Sequence, residues 1–113
     1  MVLIYGVCKI CDFGWSIYNN ESDMRSTLCG TLLYISPEML VGKDYNQKID
    51  VWAYGILVYE LFTGENPFKI REKSDLNRVI TEEVTIGDNM PEKLKDFLLF
   101  ALIKDITLRP TAE

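Results

Sequence analysis

Few residues in this chain are of a type, and in a setting, to do chemistry. The first is Asp12, in the run Cys11-Asp12-Phe13-Gly14-Trp15-Ser16. Its carboxylate stands at the tip of an apolar stretch, where it could hold a cation, and Gly14 frees the backbone to turn away. The plainer alternative is an aspartate that only caps a turn. The second is Glu60, the only charge between Asp50 and Gly64 in an otherwise apolar segment. The third is the pair Cys8 and Cys11. On one strand, residues three apart point to opposite faces, so this pair could not share a zinc ion, and nothing else completes a site.

The chain has no histidine. That excludes Ser–His and Cys–His nucleophile pairs, His general bases and His metal sites within these residues. The chemistry left must use carboxylates or groups supplied from outside. Three cysteines, an odd number, argue against a disulfide framework and suit a reducing compartment. A net charge of −5 without a long basic run speaks against nucleic acid and against an anionic membrane as partners. The composition, 48% hydrophobic and 26% charged, is that of an ordinary folded chain, and 113 residues make one small domain or part of a larger one. The apolar run 51–59 is far short of a bilayer span, and the first residues read as a strand, not a signal peptide. An intracellular protein is expected. The sequon Asn20-Glu21-Ser22 has little weight without a secretion signal.

The elements that must position these residues follow from pattern. Residues 2–11 suggest two short strands joined by a tight turn near Tyr5-Gly6. Residues 15–36 form a long loop with the polar stretch YNNESDMRST at its middle, and loops of that length are usually functional. Pro37 suits the first position of a short helical turn that Gly42 ends. The strongest helix runs from about Gln47 to Thr63, with Gly64 as its C-terminal cap. Apolar on nearly every side, it is expected at the centre of the domain. A more polar helix is expected near 73–80. Another should run from Pro91 to about Ile103, with Leu94, Phe97, Leu98 and Ala101 on one face.

Taken alone, Asp-Phe-Gly is a weak signal; its sequel is a strong one. Ser36-Pro37-Glu38, Asp50-x-Trp52-x-x-Gly55, Gly64-x-x-Pro67-Phe68 and Arg109-Pro110 follow in order. This series resembles the C-terminal lobe of eukaryotic protein kinases. Asp12-Phe13-Gly14-Trp15-Ser16, with the run STLCGTLLYISPEML, is most similar to the Aurora group of serine/threonine kinases. The implied fold is mainly α: a partial kinase-like fold reaching from the Asp-Phe-Gly strand and loop through the helical subdomain, without the N-terminal lobe. Residues 1–11 would supply the strands, 12–38 the activation segment, and 39–113 the helical lobe with its last helices cut short.

The resemblance implies a role for each matching residue. Asp12 would hold the Mg²⁺ that bridges the phosphates of ATP, because a hard cation takes carboxylate oxygen. Phe13 would pack under the helix carrying the N-lobe ion pair, and Gly14 would let the loop switch. Thr27 is the expected activation-loop phosphosite, with Ser26 as rival and Arg25 as the local cation. Thr31 would contact the catalytic aspartate and lysine. Glu38 and Arg109 would tie the activation segment to the helical core. Asp50 would be a buried carboxylate at a helix start, accepting backbone N–H bonds from the catalytic loop, or else a simple helix cap. Trp52 and Gly55 would serve packing.

Glu60 would read an arginine two residues before the phosphoacceptor. Arg25 precedes Thr27 by two, so the same pocket could accept this loop from a second copy. Glu60 could equally be paired with a neighbouring helix. Protein substrates, ATP and an activating protein partner are implied, in the cytoplasm or nucleus.

The 113 residues contain no Gly-rich phosphate loop, no strand lysine with its helix glutamate and no H-R-D catalytic loop, and Met1 stands where a second metal-ligand asparagine belongs. By themselves they are expected to be inactive, with the apolar helix left partly uncovered. Leu33 and Ser36 also depart from the pattern, standing where Asp and where Ala or Pro are usual. The alternative is a kinase-derived module that binds a partner without catalysis.

Overall fold

A computed structural model describes residues 2–11, 13 and 32–113. Strands β1 (Val2–Ile4) and β2 (Val7–Lys9) form an antiparallel hairpin in which Val2 faces Lys9 and Ile4 faces Val7. Its two-residue turn has positive φ at both positions, Tyr5 (50°) and Gly6 (76°). That matches the twist of the strands, but only glycine adopts it without strain. Residues 5–10 are exposed.

A 3-10 turn, Leu32–Tyr34, leads into α1 (Pro37–Leu40), whose opening residue is the proline. Proline suits that place because its missing N–H would be unpaired there and its φ is already helical. Gly42, with φ of 66°, ends the segment. Helix α2 (Lys48–Thr63) follows. The Asn46 side-chain oxygen accepts the Lys48 N–H at 3.0 Å, satisfying one donor that a helix start leaves open. At the other end Gly64 turns left-handed, with its N–H on the Glu60 carbonyl at 2.8 Å. A second 3-10 turn (Lys73–Leu76), α3 (Asn77–Thr81) and α4 (Glu92–Ala101) complete the order.

The main core joins Trp52 and Ile56 of α2 to Phe68, Ile70, Val79, Met90, Leu98 and Leu102. A smaller cluster of Ile35, Met39 and Tyr45 adjoins it. Helices α2 and α4 approach so closely at Gly55 that a Cβ there would lie 2.8 Å from Leu102 Cδ2 and 2.9 Å from the Ala101 Cβ. The apolar surround of α2 does not translate into burial on all sides. Trp52, Gly55 and Ile56 are buried, while Tyr54, Leu61 and Phe62 are exposed. Among the described residues, α4 and the turn 32–34 pack most extensively along it, and Tyr54, Leu61 and Phe62 stay exposed. On α4, Leu98 and Ala101 are buried as the pattern predicts, and Leu99 and Phe100 face out.

Candidate functional site

Two carboxylates, one on α1 and one near the end of α2, each gather side chains from other segments. The first is Glu38, on α1. It meets Arg109, whose inward turn is set by the Leu108 and Arg109 N–H groups bonding the Asp105 carbonyl, both at 3.1 Å. The Asp105 carboxylate accepts from the Thr107 hydroxyl at 2.7 Å and its N–H at 2.9 Å, and these bonds hold its pKa below the usual range. Arg109 is completely buried. Its Nη1 and Nη2 donate to the two Glu38 oxygens at 2.7 and 3.0 Å, in a parallel fork. Nε donates to the Ile103 carbonyl at 2.9 Å, and the remaining N–H groups reach Lys48 O at 3.2 Å and Lys104 O at 3.4 Å. All five guanidinium donors are thus engaged.

Trp52 closes the same site. Fully buried, it stacks on Phe68 with centroids 5.8 Å apart and lies under the guanidinium, 5.0 Å from the Arg109 Cζ. Its indole N–H donates to the Ile35 carbonyl at 3.1 Å. Lys48 supports the turn from outside, donating to the carbonyls of Ile106 and Thr107.

The second carboxylate is Glu60, half-buried near the end of α2. The Tyr34 hydroxyl donates to its Oε2 at 2.7 Å, and the Asn66 amide donates to its Oε1 at 3.2 Å. The same amide nitrogen also donates to the Leu33 carbonyl at 3.1 Å. Both partners are neutral, and among the described residues no ion pair includes Glu60. The Tyr34 hydroxyl titrates above its ordinary value, first because of its bond to Glu60, then because of burial and the charge of that carboxylate.

Of the other expected residues, Phe13 and Asp50 do not join these sites. Phe13 is 63% exposed and packs under nothing among the described residues. Asp50 lies in the first turn of α2 but is exposed, and it makes no capping bond. The buried setting implied for it is therefore not formed by the described residues, although the protein around its carboxyl still pushes its pKa up by desolvation. Asp12, Gly14, Thr27 and Thr31 lie outside the described residues. Among the described residues no group of three or more His, Cys, Asp or Glu side chains could hold a metal ion. Ser36 is buried, and its hydroxyl has no hydrogen-bond partner among the described residues. Sequence reasoning missed Tyr34, Asn66 and Lys48, and no local signal in the sequence ties Tyr34, 26 residues away, to Glu60.

The protein kinase domain family model matches residues 2–113. The chain belongs to the protein kinase family. Its sequence is Aurora-like within that family. It is 40% identical over 104 residues to an Aurora kinase of Candida glabrata, covering 91% of this chain and 29% of that protein. It is 46% identical over 94 residues to Aurora kinase C of Mus musculus, covering 82% of this chain and 34% of that protein. To Aurora/IPL1-related protein kinase 2 of Caenorhabditis elegans it is 37% identical over 109 residues, 96% of this chain and 35% of that protein. The chain thus spans about a third or less of the length of these kinases. No helix among the described residues is long and apolar enough to cross a membrane.

Proposed function

We propose that this chain is the C-terminal-lobe portion of an intracellular serine/threonine protein kinase that moves the γ-phosphate of ATP to protein hydroxyls. Residues 1–11 are the strands before the metal-binding loop, 12–38 the activation segment and 39–113 the helical lobe. The observation that carries a preference for basic substrates is Glu60, a carboxylate whose side-chain donors among the described residues, Tyr34 and Asn66, are neutral. An arginine two residues before the phosphoacceptor satisfies it with a charge-assisted pair. Activation follows phosphorylation of Thr27, for which Arg25 supplies a nearby cation, and a protein partner assists it. Thr31 meets the substrate side of the catalytic groups, while Phe13 and Gly14 set the state of the loop.

Asp12 would hold Mg²⁺, whose charge draws the phosphates of ATP together; the ion's remaining ligands and the catalytic loop are not among these 113 residues. Glu38 and Arg109 keep the end of the activation segment on the core, and Asp50 receives backbone donors from the catalytic loop. A second reading, a kinase-derived module that binds a partner without catalysis, is favoured by the exposed Tyr54, Leu61 and Phe62 on α2.

The test compares the 113-residue chain with a complete kinase domain containing it, for Mg²⁺-ATP binding and phosphate transfer to a peptide. Transfer by the complete domain alone is the expected result. Transfer by the 113 residues contradicts this division of labour, and an inactive complete domain that binds partners through α2 supports the second reading.

A further inference from the structure

The hold on Glu60 is more specific than charge attraction needs. A glutamate side chain near a helix end has several rotatable bonds, and an unheld carboxylate turns freely. Here each oxygen is fixed from a different segment: Oε2 by Tyr34 in the turn before α1, and Oε1 by Asn66 in the loop after α2. The orientation of the Asn66 amide is itself determined. Its Oδ1 accepts the Phe68 N–H at 3.0 Å, which turns the NH₂ group towards Glu60 and the Leu33 carbonyl. The reverse orientation would set oxygen against two acceptors. The Lys69 N–H on the Asn66 carbonyl, at 2.9 Å, closes the surrounding turn.

A carboxylate offers about four acceptor positions, two on each oxygen. Among the described residues, Tyr34 and Asn66 take one on each and leave one on each. A guanidinium fork needs two oxygens presented in a fixed plane, whereas an ammonium group needs only nearby charge. We propose that Asn66 is a positioning residue that fixes the plane of the Glu60 carboxylate, so that the protein substrate is read as arginine in preference to lysine. This rests on the reading of Glu60 as the site for a basic substrate residue.

The experiment uses the complete kinase domain and three peptides that differ only in Arg, Lys or Ala two residues before the phosphoacceptor. In Asn66→Ser the hydroxyl can still accept the Phe68 N–H and keep the turn, but it is too short to reach Glu60. The Arg-to-Lys ratio of kcat/KM should fall by about five- to tenfold, through KM, with the Lys-to-Ala ratio unchanged. An unchanged Arg-to-Lys ratio, or an equal loss with all three peptides, overturns the proposal, the latter because it reports the turn alone. If the serine variant does not fold, Asn66→Thr keeps the same turn and is read the same way. Glu60→Gln separates the two levels. Loss of the Arg-over-Ala preference there, with no effect at Asn66, overturns the positioning role alone. Retention of that preference overturns the reading of Glu60, and the proposal with it.

Discussion

Glu38 and Glu60 are both held by side chains from other segments of the chain, yet the two sites end differently. Glu38 meets a full positive charge whose five donors are all engaged inside the protein. Glu60 meets a hydroxyl and an amide, and neither neutralises it. A buried carboxylate closed by its own arginine has nothing left to offer a ligand. One held open by neutral donors is shaped and still charged. On the proposed reading, the difference separates a part that holds the lobe together from a part that reads a substrate.

The largest effect should come from breaking the closed site. Arg109→Ala leaves Glu38 buried and unpaired, and should cost about 3–5 kcal/mol in denaturant unfolding. Trp52→Phe keeps an aromatic ring under the guanidinium but leaves the Ile35 carbonyl without its donor. About 1–3 kcal/mol should be lost by the same measurement. At the open site the cost in stability should be smaller. Tyr34→Phe removes one neutral hold on Glu60, and about 1 kcal/mol is expected. If that change instead matched Arg109→Ala, Glu60 would be as structural as Glu38 and the contrast would fail.

Asp50 supplies a third carboxylate, neither closed nor held among the described residues. Its folded-state pKa is raised by desolvation, so its contribution favours the folded protein fully below the unfolded value and is lost as pH rises through the folded one. Asp50→Asn in this chain should therefore raise the melting temperature slightly at neutral pH. The gain should vanish in acid, where Asp50 is protonated. A loss at neutral pH would mean that donors beyond the described residues reach this carboxylate.

Much of this lobe was legible in the sequence because punctuation is local. Pro37, Gly42 and Gly64 mark element ends by their own backbone restrictions, and the period of Leu94, Leu98 and Ala101 picks out the inner face of α4. The burial of α2 was not legible in the same way. A helix can be apolar all round, but what covers it is decided by other elements, and the described ones leave Tyr54, Leu61 and Phe62 exposed. The two carboxylates show the same limit. Glu38 and Arg109 were paired through the family resemblance, not through their spacing. For Glu60, nothing local to residues 59–61 says that Tyr34 and Asn66 converge on it, since that convergence depends on two turns meeting at one helix end.

The contrast between a closed and an open carboxylate is tested most directly by the substrate preference of the complete kinase domain carrying Glu60→Gln. Peptides with Arg or Ala two residues before the phosphoacceptor should be phosphorylated with nearly equal kcat/KM by the variant, whereas the parent enzyme should strongly prefer Arg. An arginine preference that survives the substitution would contradict the account.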